Sequence, residues 1–249
     1  MFLRVPPGDL VSALGTDAAR DALRVTAETN TVALALILAF GTPAAYWISM
    51  RRGVGRDALV TCIELPLVLP PAVAGIGLLV AFGRLGLLGG TLSTLGIDIA
   101  FTKVAVILAV TFVASPFYLR TAIAAFEAVD TTLPDAARTL GAGRARVFLR
   151  VMLPLARTGL GAGAALAFAR GLGEFGATIM FAGSLQGVTQ TLSLAIYEQF
   201  DLDFDVALAI SALLILVSCL ILLSVKLLTR WRSGSGSLIP FAISTRQQT

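Results

Sequence analysis

The sequence predicts an all-α membrane protein, a polytopic helical bundle of about five transmembrane helices. Three observations carry that expectation. The chain of 249 residues is 57% hydrophobic and only 14% charged, against about 25% charged in an ordinary soluble domain. Uncharged runs long enough to cross a hydrocarbon core of about 30 Å as helix recur along it, at residues 31–50, 65–83 and 206–225. Arginine is concentrated in some connections and absent from others, which is how cytoplasmic and external loops differ.

Along the chain, residues 1–25 form an external N-terminal segment. It holds Arg4, Pro6, Pro7, Asp9, Asp17, Arg20 and Asp21, which is neither the apolar core nor the small-residue cleavage pattern of a signal peptide, so the first true span acts as the insertion signal. That span, 31–50, contains Pro43. The turn at 51–57 has three arginines. The second span, about 58–82, contains "LPLVLPP" with Pro66, Pro70 and Pro71; prolines remove backbone hydrogen bonds and kink helices, and in a membrane they persist where a neighbour or a cavity satisfies the freed carbonyls. A broken second helix is expected, lining a path or improving packing. Glu64, near its start, is expected to pair with Arg51, Arg52 or Arg56.

Residues 83–101 read as an external loop with one short helix, being rich in Gly, Ser and Thr. The third span, about 102–126, carries a second proline break at "SPF", 115–117. The fourth, 158–180, holds Arg170 and Glu174 and opens with Gly159 and Gly163 at the spacing that allows close helix approach. The stretch 181–205 has no Lys or Arg and four acids, Glu198, Asp201, Asp203 and Asp205, and is placed outside; a fifth span, 206–225, leads to a flexible cytoplasmic tail at 230–249. Five spans put the N-terminus outside and the C-terminus in the cytoplasm.

Several chemistries are set aside by composition. There is no histidine, which removes imidazole acid–base catalysis and Ser-His activation. Cys62 and Cys219 fall inside spans and are expected to be apolar packing residues, with no spacing for a metal or a disulfide framework. No GxxxxGK[ST] phosphate loop is present, so the chain is expected not to bind or hydrolyse ATP for itself, and no nucleic acid is expected among its partners.

Between the third and fourth spans lies "DAARTLGAGRARVFLRVMLPLA", residues 135–156, with four arginines in thirteen residues. Thr132 is expected to cap a short helix in which Pro134 fits the first turn and Asp135 favours the positive end. Ala136, Ala137 and Leu140 continue it, and Gly141 with Gly143 stops it. Two turns, about 12 Å long, with bare alanines form a helix that a partner's groove can grip. A second short helix is expected at 144–152, broken from the fourth span by Pro154. Contact with anionic lipid accounts for the arginines but not for the Asp-Ala-Ala, Gly and Leu-Pro pattern.

That pattern resembles the signature loop of binding-protein-dependent ABC importer permeases: Glu-Ala-Ala, three residues, Gly, nine residues, Ile-x-Leu-Pro. Asp135-Ala136-Ala137, Gly141, Val151 and Leu153-Pro154 stand at those places, with Asp for Glu and Val for Ile. The resemblance covers about residues 26–229. The phrases "LPLVLPP", "ARTLGAGRARVF", "LAFARGLGEFGATIMFAG" and "TQTLSLAIY" narrow it to permeases of molybdate importers, with sulfate and thiosulfate permeases as the close alternative.

It implies a type I ABC importer fold in which Asp135, Ala136, Ala137, Leu140, Gly141, Arg144, Leu153 and Pro154 couple the bundle to the ATPase. It implies as partners a second copy of the chain, two cytoplasmic ATP-binding subunits that hold the ATP and Mg, and an external oxyanion-binding protein. The translocation path or gate is placed at Pro66, Pro70, Pro71, Arg170, Glu174, Phe175 and Thr178. Arg170 and Glu174, four apart on one helical face, are costly to bury singly; they either shape a gate or fix helix packing. The rival from another class is an ATP-independent secondary transporter or channel using that pair as its relay.

Overall fold

In a computed structural model, which describes residues 15–233, every regular element is helical. Helix α1 (Asp17–Ser49) starts where the Thr16 side chain accepts from the Ala19 N–H at 3.4 Å. Nine residues assigned to the external segment thus belong to the first helix; residues 1–14 and the tail beyond 233 lie outside the described residues. At 33 residues α1 is about 50 Å long, well over the hydrocarbon thickness. It buries Ala22, Thr26, Thr29, Asn30, Ala33, Ile37, Gly41 and Ala45 along one stripe, and it runs through Pro43 without ending.

Helix α2 (Val54–Val68) and α3 (Pro71–Phe82) meet at a 111° bend, the break expected in the second span. Its cause is local. Neither Pro70 nor Pro71 has an N–H to continue the ladder, and the residue before a proline is driven into the extended region, where Leu69 lies (ψ 133). Pro71 then opens α3 at a position that needs no N–H. Pro66 sits inside α2, which remains helical around it.

The short helix α4 (Gly89–Thr94) lies in the predicted loop, which the Arg84–Asp98 ion pair closes at 2.8 Å. Helix α5 (Lys103–Glu127) is the centre of the bundle and packs on both α1 and the fourth span. Pro116 does not break it. The carbonyl that Pro116 leaves without a partner belongs to Phe112, and the Ser115 hydroxyl donates to it at 3.3 Å, so the helix continues.

After α6 (Thr132–Thr139) the chain is again more continuous than expected. Helix α7 (Arg144–Val147), a π-helical turn (Phe148–Met152) and α8 (Leu153–Leu172) form one rod. Pro154 does not separate the basic helix from the fourth span: the Leu153 N–H reaches back five residues to the Phe148 carbonyl, and that widened turn absorbs the proline. The break falls later, at Gly173–Phe175, before α9 (Gly176–Ala182), so 158–180 is not one helix. Helix α10 (Leu192–Leu202) and α11 (Phe204–Ser233) complete the described chain.

Close approach sets the packing of α8 on α5. A Cβ at Gly159 would lie 2.5 Å from the Ala125 Cβ, and one at Gly163 would lie 3.0 Å from Thr121 and 3.2 Å from Tyr118. Gly159→Val is therefore expected to destabilise the bundle by about 1–3 kcal/mol through overpacking, read as a lowered melting temperature in detergent. Gly161→Val, where a Cβ meets nothing, is the control expected to leave it unchanged.

Two side-chain expectations are corrected. Glu64 pairs with Arg120 of α5 at 3.0 Å, while Arg56 pairs with Glu127. Eight residues of helix, about 12 Å, separate Glu64 from Arg56 along α2. Cys62 and Cys219 are exposed, not packed in the core. Cys62 lies on α2, which has no buried residue in the single chain.

Candidate functional site

Two places combine the predicted residues into a site. The first is α6 at one end of the bundle. Its cap is Asp130, not Thr132: the Asp130 Oδ1 accepts from the Thr132 N–H at 2.9 Å, while Thr131 at the flank makes no side-chain cap. This bond holds the Asp130 carboxyl below the ordinary carboxylate range. A carboxylate lowered by folding stabilises the helix start at pH above its unfolded value, and the effect is lost as pH falls through the folded value. Exchange protection of the Thr132, Leu133 and Asp135 amides, corrected for intrinsic rate, is expected to be flat near neutrality and to fall below about pH 4. In Asp130→Asn that acid dependence is expected to be gone.

Asp135 bonds Arg138 one turn on at 2.7 Å. The end of α6 is formed by Gly141 at φ +83, whose N–H donates to the Arg138 carbonyl at 2.9 Å while the Ala142 N–H donates to Ala137 at 3.0 Å. That left-handed residue and its two bonds are a glycine-terminated helix end, as the spacing predicted. Pro134 is buried and Ala137 packs on the cluster around Phe126, Val147 and Met152. Leu133, Ala136 and Leu140 are left exposed, with Leu140 88% accessible. Arg144 is exposed too. Leu153 and Pro154 lie in a different place, at the start of α8; Leu153 packs on the same cluster and is not part of the bare face.

The second place lies within the bundle, where the break after α8 meets the break before α3. Gly176 is so near that a Cβ there would lie 2.8 Å from the Pro71 Cβ, and one at Gly75 would lie 2.6 Å from the Ala177 carbonyl. The structure thus brings Pro71 together with Gly176 and its neighbours, while Pro66 lies on the other side of the bend. Glu174 is buried. One oxygen receives Arg170 at 2.7 Å and the other accepts from the Ala177 N–H at 2.8 Å, so a single carboxylate ties the end of α8 to the start of α9. Arg170 keeps 27% of its side chain accessible. Phe175 packs on Tyr197 with centroids 5.2 Å apart, and Thr178 is fully buried with a hydroxyl that has no partner among the described residues.

The break frees the last carbonyls of α8, and side chains outside the predicted set bond the backbone around it. The Asn30 amide donates to the Phe168 carbonyl at 3.3 Å, and the Ser193 hydroxyl to the Leu172 carbonyl at 3.1 Å. Thr26 accepts from the Leu192 N–H at 2.8 Å. Interrupted helices in a membrane require such partners. Asn30 lies just before the apolar run at 31–50, after Glu28 and Thr29, and nothing in the sequence singled it out.

A multi-pass helical bundle with a bare, capped helix at one end and a charge-neutralised break at its centre is the architecture of a membrane transport subunit. Residues 34–233 match the family of binding-protein-dependent transport system inner membrane components, and the chain belongs to that family. It is 46% identical over 231 residues, 93% of this chain and 84% of the relative, to the molybdenum transport system permease protein ModB of Mycobacterium tuberculosis. It is 35% identical, over 91% of this chain and 79% of the relative, to the sulfate transport system permease protein CysW of Synechococcus elongatus. A chain of a bacterial alginate ABC transporter, solved in complex with an alginate-bound periplasmic protein, superposes with TM-score 0.72 at 17% identity, covering 94% of this chain and 86% of that one. The last likeness is one of fold.

Proposed function

We propose that the chain is the permease subunit of an ATP-driven oxyanion importer whose cargo is molybdate, with tungstate as co-substrate. The observation that carries the substrate is the 46% identity, over nearly the whole chain, to a molybdenum permease; the sulfate permease is more distant at 35%. Two copies form the path. Supporting this, α2 buries none of its fifteen residues in the single chain, and an apolar helix left bare awaits lipid or a second copy.

In this reading two cytoplasmic ATPase subunits hold ATP and Mg and grip the Leu133, Ala136 and Leu140 face, and an external binding protein delivers the anion. The arginine-rich connections face the cytoplasm. The chain itself performs no chemistry: α6 transmits the movement of the ATPases to the rod formed by α7 and α8, and so to the break at Gly173–Phe175 and its Glu174 tie. One partly neutralised arginine near that break suits an anion path, because a deeper positive trap would hold the anion and not release it.

The test is uptake of labelled molybdate by proteoliposomes containing the chain with its ATPases and binding protein. Uptake is expected to require ATP and to be competed by tungstate and not by sulfate. Competition by sulfate alone overturns the substrate, and uptake by the chain without ATPases overturns the mechanism.

A further inference from the structure

The end of the bundle that carries α6 also encloses a cavity of ≈ 580 Å³, between the 51–53 turn, the start of α2, the end of α5 and the inner side of α6. Its floor is apolar, with Phe126, Val129 and Met152, and its rim is charged. The rim is unevenly neutralised. Arg56 is held by Glu127 and by Asp57 at 3.3 Å, and Arg138 by Asp135. Those pairs use all three carboxylates of the lining, and Arg51 and Arg52 make no ion pair among the described residues. Gly53 beside them, at φ +88, opens the fifteen-residue α2 with no side-chain cap, adding the positive end of a helix to the same rim.

The level of the cavity is marked by Trp47, half exposed near the end of α1, with the Arg51 guanidinium 3.6 Å above its ring. An exposed tryptophan at the end of a spanning helix belongs to the membrane–water interface. The anion abundant at that depth is the phosphate of a lipid, and basic pockets between spanning helices are where such headgroups bind. Cation–π contact fixes the Arg51 plane over the indole while leaving its N–H groups free of any carboxylate.

We propose that this cavity binds the phosphate headgroup of an anionic phospholipid, held by Arg51 and Arg52 over the apolar floor and against the inner side of α6. The inference needs neither the cargo nor the partners argued above: it concerns this chain and lipid alone, so it can fail while the transport reading stands. Its consequence is that a lipid touches the element that couples to the ATPase.

The experiment uses the full chain in detergent. Phosphatidylglycerol, phosphatidylcholine and inorganic phosphate are titrated separately, and bound lipid is counted by native mass spectrometry. The expected result is saturable retention of phosphatidylglycerol, roughly tenfold or more weaker for phosphatidylcholine and for Arg51→Gln/Arg52→Gln. Arg52→Lys is expected to keep most of the affinity, since the charge remains. Arg146→Gln/Arg157→Gln, which alters basic residues outside the cavity, is expected to bind as the unaltered chain does, and a single symmetric peak on gel filtration shows that each variant is folded. Equal retention of the two lipids, unaltered binding by the Arg51/Arg52 variant, or equal loss in the Arg146/Arg157 variant overturns the site. Displacement of phosphatidylglycerol by inorganic phosphate at equal concentration overturns the lipid as occupant.

Discussion

Gly141→Val is expected to leave the bundle inserted and folded while abolishing transport-linked ATP hydrolysis. Gly141 occupies φ +83 at the end of α6, and a left-handed backbone costs a residue with Cβ about 1–2 kcal/mol, more when it is β-branched. A Cβ there meets nothing within 4 Å, so the whole cost is conformational and is relieved by unwinding the last turn of α6. That turn holds Leu140, the most exposed apolar side chain of the segment. The loss therefore falls on what grips α6 and not on the core.

Two comparisons separate this from general damage. Gly141→Asn, which tolerates the left-handed region, is expected to retain most coupling. Leu140→Asp, altering an exposed side chain without touching the helix end, is expected to abolish co-purification of the ATPase subunit at unchanged melting temperature. Normal ATPase recruitment in both Gly141→Val and Leu140→Asp would exclude α6 as the coupling element.

The second large effect is at Glu174. Glu174→Ala removes both the partner of Arg170 and the acceptor for the Ala177 N–H. Breaking a buried ion pair by removing one member costs about 3–5 kcal/mol; the partial exposure of Arg170 places this one at the lower end, about 3 kcal/mol. A lowered melting temperature and loss of uptake are expected together. Glu174→Gln keeps an acceptor for Ala177 and loses only the charge, so it is expected to be folded but impaired. Arg170→Met with Glu174→Gln removes both charges. Recovery of stability in that double variant without recovery of uptake assigns the pair to the path; recovery of both assigns it to packing alone.

Why some of this was legible and some was not follows from the range of the interactions. The helix end at Gly141 is dictated within five residues, because only glycine takes that backbone without penalty. The bend at Leu69–Pro71 is equally local. Pro43, Pro116 and Pro154 look the same in sequence, yet none ends a helix. Pro116 is rescued by the hydroxyl of the residue before it and Pro154 by a π-helical turn, and nothing in composition announces either. The capping residue was misplaced by two positions, from Asp130 to Thr132, because both offer an oxygen at a spacing that suits a helix start and only the backbone path decides between them.

Pairings across helices were the least legible. Arg170 and Glu174 could be joined from their four-residue spacing alone. Glu64 could not be matched with Arg120, nor Asn30 with Phe168, because each contact depends on how α1, α2, α8 and the central α5 lie against one another.

Sequence by itself determined that the chain is a multi-pass helical membrane protein, where its bare helix α6 ends, and to which family it belongs. These are matters of hydrophobic length, local backbone preference and residue spacing, all written within a few turns of chain. Tertiary structure alone decided where the fourth span breaks, that Asn30 and Ser193 bond the backbone near that break, and that Glu64 meets Arg120. A buried polar group is stable only with a partner, and the partner's distance along the chain places no limit on its nearness in space.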